Sequence, residues 1–137
     1  MVNALGSADC AFFGHPDRQT IAEELKDVET AIANGFEYLR VRYGDEPMRA
    51  QVDAYIAEGF PMDKYPLIAS GMFIRRNVPH VNAAFDHWLI ENFKWTIQDQ
   101  LSFPYILWKH NLTLNIIDGN IWSEAFHKHT GHVNPNQ

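Results

Sequence analysis

The chain has 137 residues, of which 46% are hydrophobic and 13% are aromatic. A chain of this length makes about one domain, and this composition lies outside the range of chains that stay disordered. The net charge is −6, and no run of basic residues is long enough to follow a phosphate backbone, so the sequence argues against a nucleic-acid partner. We predict a single domain over residues 1–137, with a polar tail at 131–137 that frays.

The sequence gives no sign of membrane insertion or export. Its apolar runs are far shorter than the roughly 20 residues that cross a bilayer, and no signal-peptide pattern is present at the N-terminus. The single cysteine, Cys10, cannot form an internal disulfide, so folding does not require an oxidising compartment. We expect a cytoplasmic protein without a membrane span, in which Cys10 is a small core residue.

The first third of the chain predicts a strand and a helix. The apolar run Cys10 to Phe13 is typical of a buried strand that ends at the turn Gly14 to Pro16. A helix is expected from about Arg18 to the stop signal Asn34-Gly35, because its apolar residues recur at helical spacing. These residues are Ile21, Leu25, Val28 and Ile32. The segment Phe36 to Tyr43 fits a helix or a strand equally well.

The middle of the chain predicts a helix followed by an interrupted strand. Asp45 is suited to cap the helix and Pro47 to its first turn. The apolar stripe of this helix is Met48, Val52, Tyr55 and Ile56. The run Leu67 to Ile74 reads as a strand, and Ser70 and Gly71 within it indicate a bulge or a place where another group approaches the backbone closely.

The last third predicts two helices and a strand. A helix is expected over His80 to Phe93, with one apolar side formed by Val81, Ala84, Phe85, Trp88 and Leu89. A further helix begins near Thr96, and Pro104 should kink it or end its first part. Leu112 to Ile117 alternates as a strand does and is followed by a turn at Asp118. The whole pattern predicts an α/β fold with a single mixed-sheet domain and flanking helices.

Four segments of the chain carry recognisable motifs. They are Phe12 to Arg18 with Glu24 downstream, Tyr55 to Pro61, Leu67 to Arg76, and Trp88-x-x-Glu91 followed by Asp99 to Phe103. In order and spacing they resemble a glycosyltransferase-like family of the GT-A type, best known from plant proteins tied to mucilage and ceramide metabolism and from bacterial relatives. The resemblance covers about residues 10–118. It implies a fold like the C-terminal, acceptor-side half of a GT-A nucleotide-diphospho-sugar transferase.

The chain departs from the family pattern in two ways. Gln98 stands where the family usually has arginine, which removes a charge that would hold a phosphate or orient Asp99. The nucleotide-binding part of such enzymes, with its Asp-x-Asp metal motif, lies upstream of the His-Pro segment, and only about ten residues precede that segment here. The resemblance therefore implies a nucleotide sugar and a glycan acceptor as partners, with a companion chain or a homo-oligomer to complete the donor site.

Asp99 and Gln100 are, by resemblance, the pair that meets the transferred sugar and the attacking hydroxyl, with Glu91 as a third catalytic residue. Glycosyl transfer passes through an oxocarbenium-like state, and a carboxylate can deprotonate the acceptor or stabilise the developing charge. The spacing Thr96-x-x-Asp99 has an alternative interpretation, because it is close to a helix capping box.

Trp88 and Glu91 are three residues apart and should be neighbours on one helix. An indole beside a carboxylate suits a sugar, because pyranose C–H faces pack on aromatic rings while hydroxyls bond to the carboxylate. The alternative is that Trp88 belongs to the core and that Glu91 is a solvated partner of Lys94.

Further substrate-binding candidates lie on the interrupted strand. Arg75 and Arg76 are suited to hold a diphosphate, although paired arginines at a strand end are more often simply solvated. Ser70 and Gly71 are expected to act through their backbone, since glycine lets a ligand come close. His15, at the start of the first long helix, is expected to orient a loop together with Arg18.

Histidines near the C-terminus raise the question of a metal. In metal-dependent GT-A enzymes a C-terminal histidine often completes the cation site, and His129 and His132 lie in a segment that resembles it, so Mn²⁺ or Mg²⁺ is a candidate cofactor.

A different class of function also fits the sequence: a carbohydrate-binding or structural, oligomeric protein. The tryptophans that would serve such a surface are Trp88, Trp95, Trp108 and Trp122.

Overall fold

A computed structural model describes residues 2–119 of the chain. Its elements, in chain order, are α1 (Val2–Leu5), β1 (Cys10–Gly14), α2 (Ile21–Ala33), α3 (Glu37–Tyr43), α4 (Met48–Ala57), β2 (Ile68–Arg75), α5 (Pro79–Lys94), α6 (Asp99–Lys109) and β3 (Leu114–Ile117). The predicted α/β class with a mixed sheet is confirmed. Within these residues no helix has both the length and the apolar character needed to span a bilayer.

The sheet has three strands in the order β2-β1-β3. β1 pairs with β2 antiparallel and with β3 parallel. The register with β2 shifts between Phe12, which faces Phe73, and Phe13, which faces Ala69. Residues 70–72 of β2, which include Ser70 and Gly71, therefore lie between two β2 residues whose partners on β1 are consecutive. This irregularity confirms the predicted bulge.

An aromatic cluster holds α5 and α6 against the sheet. The ring of Phe12, fully buried at the centre of β1, lies 4.7 Å from the ring of Phe73 and 4.4 Å from that of Phe103. Trp88 packs edge-on against Phe12, and its indole Nε1 donates a hydrogen bond of 2.9 Å to the hydroxyl of Ser102. The cluster therefore satisfies its buried polar atom while it excludes water from the sheet.

Helix α2 follows the predicted apolar stripe but begins at Ile21, three residues later than expected. Thr20 caps it by accepting a hydrogen bond from the backbone N–H of Glu23, whose carboxylate accepts one from the backbone N–H of Gln19. The predicted stop is confirmed: Gly35 has a φ of +79°, a left-handed conformation that suits glycine.

Helix α3 settles the ambiguous segment as helical. An ion pair of 2.7 Å joins Glu37 and Arg40 one turn apart, and the guanidinium of Arg42 donates to the hydroxyl of Tyr38 at 2.6 Å. These contacts between neighbouring turns favour a helix. Periodicity alone could not distinguish a helix from a strand here, because the segment mixes aromatic and β-branched residues.

The predicted cap of α4 and two predicted core positions are wrong. Pro47, and not Asp45, occupies the N-cap position of α4, where no side chain caps the backbone. Ile56 in α4 is 48% exposed and Leu89 in α5 is 56% exposed, so neither belongs to the core. Both side chains stand at the edge of their apolar stripe, where the rotation of the helix turns them to solvent.

Helix α6 begins at Asp99 and not near Thr96, and Pro104 neither ends it nor divides it. Its residues from Leu101 to Leu107 are all buried, Pro104 included. Packing on all sides of the helix outweighs the hydrogen bond that Pro104 cannot donate, since tertiary contacts supply most of the stability of a protein helix.

Candidate functional site

One edge of the sheet gathers most of the polar residues that the sequence singled out. The parallel strands β1 and β3 both end there, at Gly14 and Ile117, and β2 begins there because Gly14 pairs with Ile68. In open α/β sheets, ligands bind outside the carboxyl ends of the parallel strands. We call this the carboxyl edge.

Asp99 reaches the carboxyl edge through the bulge of β2. It is the first residue of α6, and its carboxylate accepts a hydrogen bond from the hydroxyl of Ser70. Asp99, Ser70 and Gln100 are all half-buried. The bulge lets Ser70 leave the ladder and turn to the helix start, so the irregular strand and the acidic residue are parts of one arrangement.

The capping-box interpretation of Asp99 is wrong. The N-cap of α6 is Gln98, and no side chain caps the helix there. The hydroxyl of Thr96 instead donates a hydrogen bond of 2.8 Å to the side-chain carbonyl of Gln51 and accepts one from the backbone N–H of Gln98. The carboxylate of the half-buried Asp99 thus bonds to Ser70 and does not cap the helix.

A buried carboxylate joins the start of α2 to the start of α6. Glu24 is 2% exposed, and its two oxygens contact Nη1 of Arg18 at 2.6 Å and Nε2 of Gln98 at 2.5 Å. Arg18 also binds Asp27 at 3.0 Å. Burial lowers the pKa of Arg18, but the bonds to these two carboxylates outweigh it and raise the pKa overall. Gln98 donates one hydrogen bond to Glu24 without adding a second positive charge beside Arg18.

His15 stands in the turn that follows β1. Its Nδ1 accepts hydrogen bonds from the backbone N–H groups of Asp17 and Arg18, at 3.2 and 3.1 Å. Burial lowers the pKa of His15 below its usual value, and the positive charge of Arg18 adds to this, against the opposite pull of Glu24. The ring is therefore neutral at pH 7, with its proton on Nε2.

Arg42 and Tyr43, which lie on α3 within reach of the charge of Asp99, were not predicted as site residues. The guanidinium of Arg42 lies 5.2 Å above the ring of Tyr43. Burial raises the pKa of Tyr43, and the charge of Asp99 adds to that rise. The bond to Tyr38 is the main cause of the raised pKa of Arg42, with a smaller contribution from Asp99. Only the three-dimensional approach of α3 to α6 reveals them, because nothing in their local sequence distinguishes them.

Glu91 lies in a different polar cluster from Asp99. It is 4% exposed, and its carboxylate accepts a hydrogen bond of 2.9 Å from the hydroxyl of Tyr55 and lies 3.5 Å from Nε2 of His87. Tyr55 in turn accepts from Gln51, which connects the cluster to the entry of α6. A chain of buried side chains thus links Glu91 to the carboxyl edge, but within residues 2–119 no hydrogen bond or ion pair joins Glu91 directly to Asp99.

Trp88 is a core residue. It is 9% exposed, and its indole is enclosed by Phe12, Phe85 and Phe103. The interpretation of Trp88 as a sugar platform is therefore wrong, because the ring offers no open face to a pyranose. Glu91 beside it is buried as well, although Lys94 lies 3.8 Å away, so the solvated alternative for that residue is also wrong.

Arg75 and Arg76 lie at the opposite edge of the sheet. Arg75 is five positions after Ser70 on β2, which is about 16 Å in extended backbone. The guanidinium of Arg75 lies 4.9 Å above the ring of Phe85. Arg76 donates from Nε to the carbonyl of Ala8 at 2.8 Å and also contacts the carbonyl of Gly6. The structure gives both arginines structural partners and does not bring them to Asp99.

His129 and His132 lie outside the described residues, as does Trp122. Between residues 2 and 119, no three histidine, cysteine or acidic side chains stand close enough together to hold a metal ion. Cys10 is fully buried on β1, where burial raises the pKa of its thiol to about 12, which fits the expected core role.

Comparison of the chain with protein-family models, with curated proteins and with solved structures finds no match in any of the three.

Proposed function

We propose that this chain is a glycosyltransferase-like protein that moves a sugar from a nucleotide-sugar donor to a hydroxyl acceptor, with Asp99 as the catalytic carboxylate. One observation carries the proposal: segments far apart in sequence that resemble the family's motifs converge on one edge of the sheet. Glu24 of the first motif contacts Gln98 beside the last motif at 2.5 Å, and Ser70 of the third motif bonds to Asp99.

The contacts of Asp99 suit a general base. The hydroxyl of Ser70 donates to Oδ2, which orients the carboxylate, and no hydrogen bond within residues 2–119 engages Oδ1. In the proposed step Oδ1 accepts the proton of the acceptor hydroxyl as that oxygen forms a bond to the anomeric carbon. The bond from the anomeric carbon to the donor phosphate breaks, and the nucleoside diphosphate leaves with the electron pair.

Transfer by this arrangement needs a place for the donor nucleotide. The resemblance implies that a companion chain or a second copy supplies it, so the assay should use the protein both alone and at high concentration. Thermal melting with a panel of nucleotide sugars and Mn²⁺ or Mg²⁺ reports donor binding, since a ligand at 100 times its Kd stabilises by about 2.7 kcal/mol.

The test of catalysis is release of nucleoside diphosphate from the donor that gives the largest melting shift. Asp99→Asn should reduce the rate by about 100-fold or more, because it removes a general base, while the melting shift with the donor stays. Asp63→Asn, at an exposed turn position where the carboxylate has no hydrogen bond or ion pair within residues 2–119, is the matched control and should leave the rate unchanged. Equal rates for Asp99→Asn and the control would show that this carboxylate does not act in transfer.

A second candidate function is a non-catalytic, oligomeric carbohydrate-binding protein, and exposed apolar side chains favour it. Leu89, Ile90 and Phe93 on α5 are 56%, 59% and 84% exposed, and Ile97 follows them at 54%. Such patches mark interaction surfaces. The tryptophans do not form this surface, because Trp88 is buried and the other described ones pack against the core. Sedimentation of the wild type and of Phe93→Ser separates the cases: a monomer in both would exclude this surface as an oligomer interface.

A further inference from the structure

A concavity opens at the carboxyl edge, on the side of β1 that faces β3. Its volume is about 350 Å³, within the range of sites for small molecules. The lining residues come from the ends of the two parallel strands and the turns that follow them. They are Gly14, His15, Pro16, Ile116, Ile117, Asp118 and Gly119. We call this the β1–β3 cavity, and neither Asp99 nor Ser70 lines it.

His15 presents a hydrogen-bond donor here and cannot act as a metal ligand. Two backbone N–H groups already donate to its Nδ1, so the neutral ring carries its proton on Nε2. A metal ion needs a free nitrogen lone pair, and this tautomer offers none. Nε2–H has no hydrogen-bond partner among residues 2–119, which leaves it available to an oxygen of a ligand.

Asp118 supplies the complementary group. Its side chain is exposed, and no hydrogen bond or ion pair within residues 2–119 engages its carboxylate. A carboxylate accepts hydrogen bonds from hydroxyl groups and repels a phosphate or another anion. The remaining wall is apolar, formed by Pro16, Ile116 and Ile117. One donor, one charged acceptor and an apolar wall match a neutral molecule with several hydroxyls and a C–H face.

We infer that the β1–β3 cavity binds a neutral pyranose, with His15 Nε2–H donating to one hydroxyl and Asp118 accepting from another. The inference deepens the proposed function and rests on it for the choice of a sugar over other polyols. It places an uncharged sugar ring at the same edge of the sheet as the Asp99–Ser70 pair, on the other side of β1. Binding of a free glycoside requires no transfer, so the two proposals can fail separately.

The experiment is an NMR titration of the full-length chain with four methyl glycosides: glucoside, galactoside, mannoside and xyloside. We expect at least one of them to shift the backbone amides of Gly14 and Gly119. His15→Ala should weaken that binding by about three- to tenfold and Asp118→Ala by about tenfold or more, as expected for loss of a neutral and a charged hydrogen bond.

Matched controls come from the rest of the chain. His80→Ala and Asp63→Ala remove the same side-chain types from exposed positions outside the cavity and should bind as the wild type does. Gly14→Ala keeps the fold, since a Cβ there meets Ile116 at an ordinary 3.6 Å, but it narrows the cavity and should weaken binding.

Three results would overturn the inference. The first is that none of the four glycosides shifts these amides. The second is that His15→Ala and Asp118→Ala bind as the wild type does. The third is tighter binding of methyl glucuronide than of methyl glucoside, because an added carboxylate should be repelled by Asp118. Loss of transfer in Asp99→Asn with glycoside binding intact would leave the inference standing, whereas intact transfer without glycoside binding would refute it alone.

Discussion

Replacing Glu24 by glutamine tests whether the buried carboxylate joins the starts of α2 and α6. The change keeps the shape and an acceptor for Gln98 but sets an amide N–H against the guanidinium of Arg18, which lies 2.6 Å from the carboxylate. A hydrogen bond to a charged partner contributes about 1.5–3 kcal/mol. Because Arg18 is 27% exposed and water can solvate it in the variant, we expect a loss near the lower end, about 1.5–2 kcal/mol.

Thermal melting measures this loss. For a chain of this size a change of 1 kcal/mol moves the Tm by about 3–5 °C, so Glu24→Gln should melt about 5–10 °C below the wild type. Glu37→Gln removes an exposed carboxylate from an ion pair within α3, and its Tm should stay close to that of the wild type. If the two variants melt together, Glu24 does not anchor these helices, and the account of how Asp99 is positioned fails.

Three further changes are expected to affect stability, each measured by urea unfolding. Trp88→Phe removes the indole N–H that bonds to Ser102 and leaves a void, so it should cost about 1–3 kcal/mol; an unchanged midpoint would place the indole outside the core. Tyr55→Phe takes the hydroxyl donor from a buried carboxylate and should cost about 1–3 kcal/mol, whereas a neutral effect would mean that this bond is absent. Burial lowers the pKa of His15 and His110 below the usual 6.5, so at mildly acidic pH the unfolded chain binds more protons than the folded chain does. The free energy of unfolding should therefore fall as the pH drops below about 6.5. The double variant His15→Gln, His110→Gln should show a weaker dependence on pH, and an unchanged dependence would contradict the assignment.

The regular elements were predictable because periodicity is a local property. Residues a few positions apart were enough to predict three features: the apolar stripe from Ile21 to Val28, the helix stop at Gly35 and the bulge at Ser70. The failures concern competing local signals. Asp45 and Pro47 both suit a helix start, and Pro104 signals a break that surrounding burial overrides.

The site was less predictable, since its contacts join distant parts of the chain. Glu24 and Gln98 are 74 residues apart, and Ser70 and Asp99 are 29 apart. The resemblance indicated candidate site residues but not which of them are in contact with one another. Glu91 and Arg75 share motifs with the residues at the carboxyl edge, yet one lies in a buried cluster and the other at the far end of β2.

The central claim is that the carboxyl edge of the sheet is where substrate binds. Hydrogen–deuterium exchange with and without a saturating nucleotide sugar tests it most directly. We predict slower exchange in peptides covering residues 14–19, 68–71 and 98–100, with no change at 6–9 and 75–77. Protection confined to the opposite edge, around Arg75 and Arg76, would contradict it.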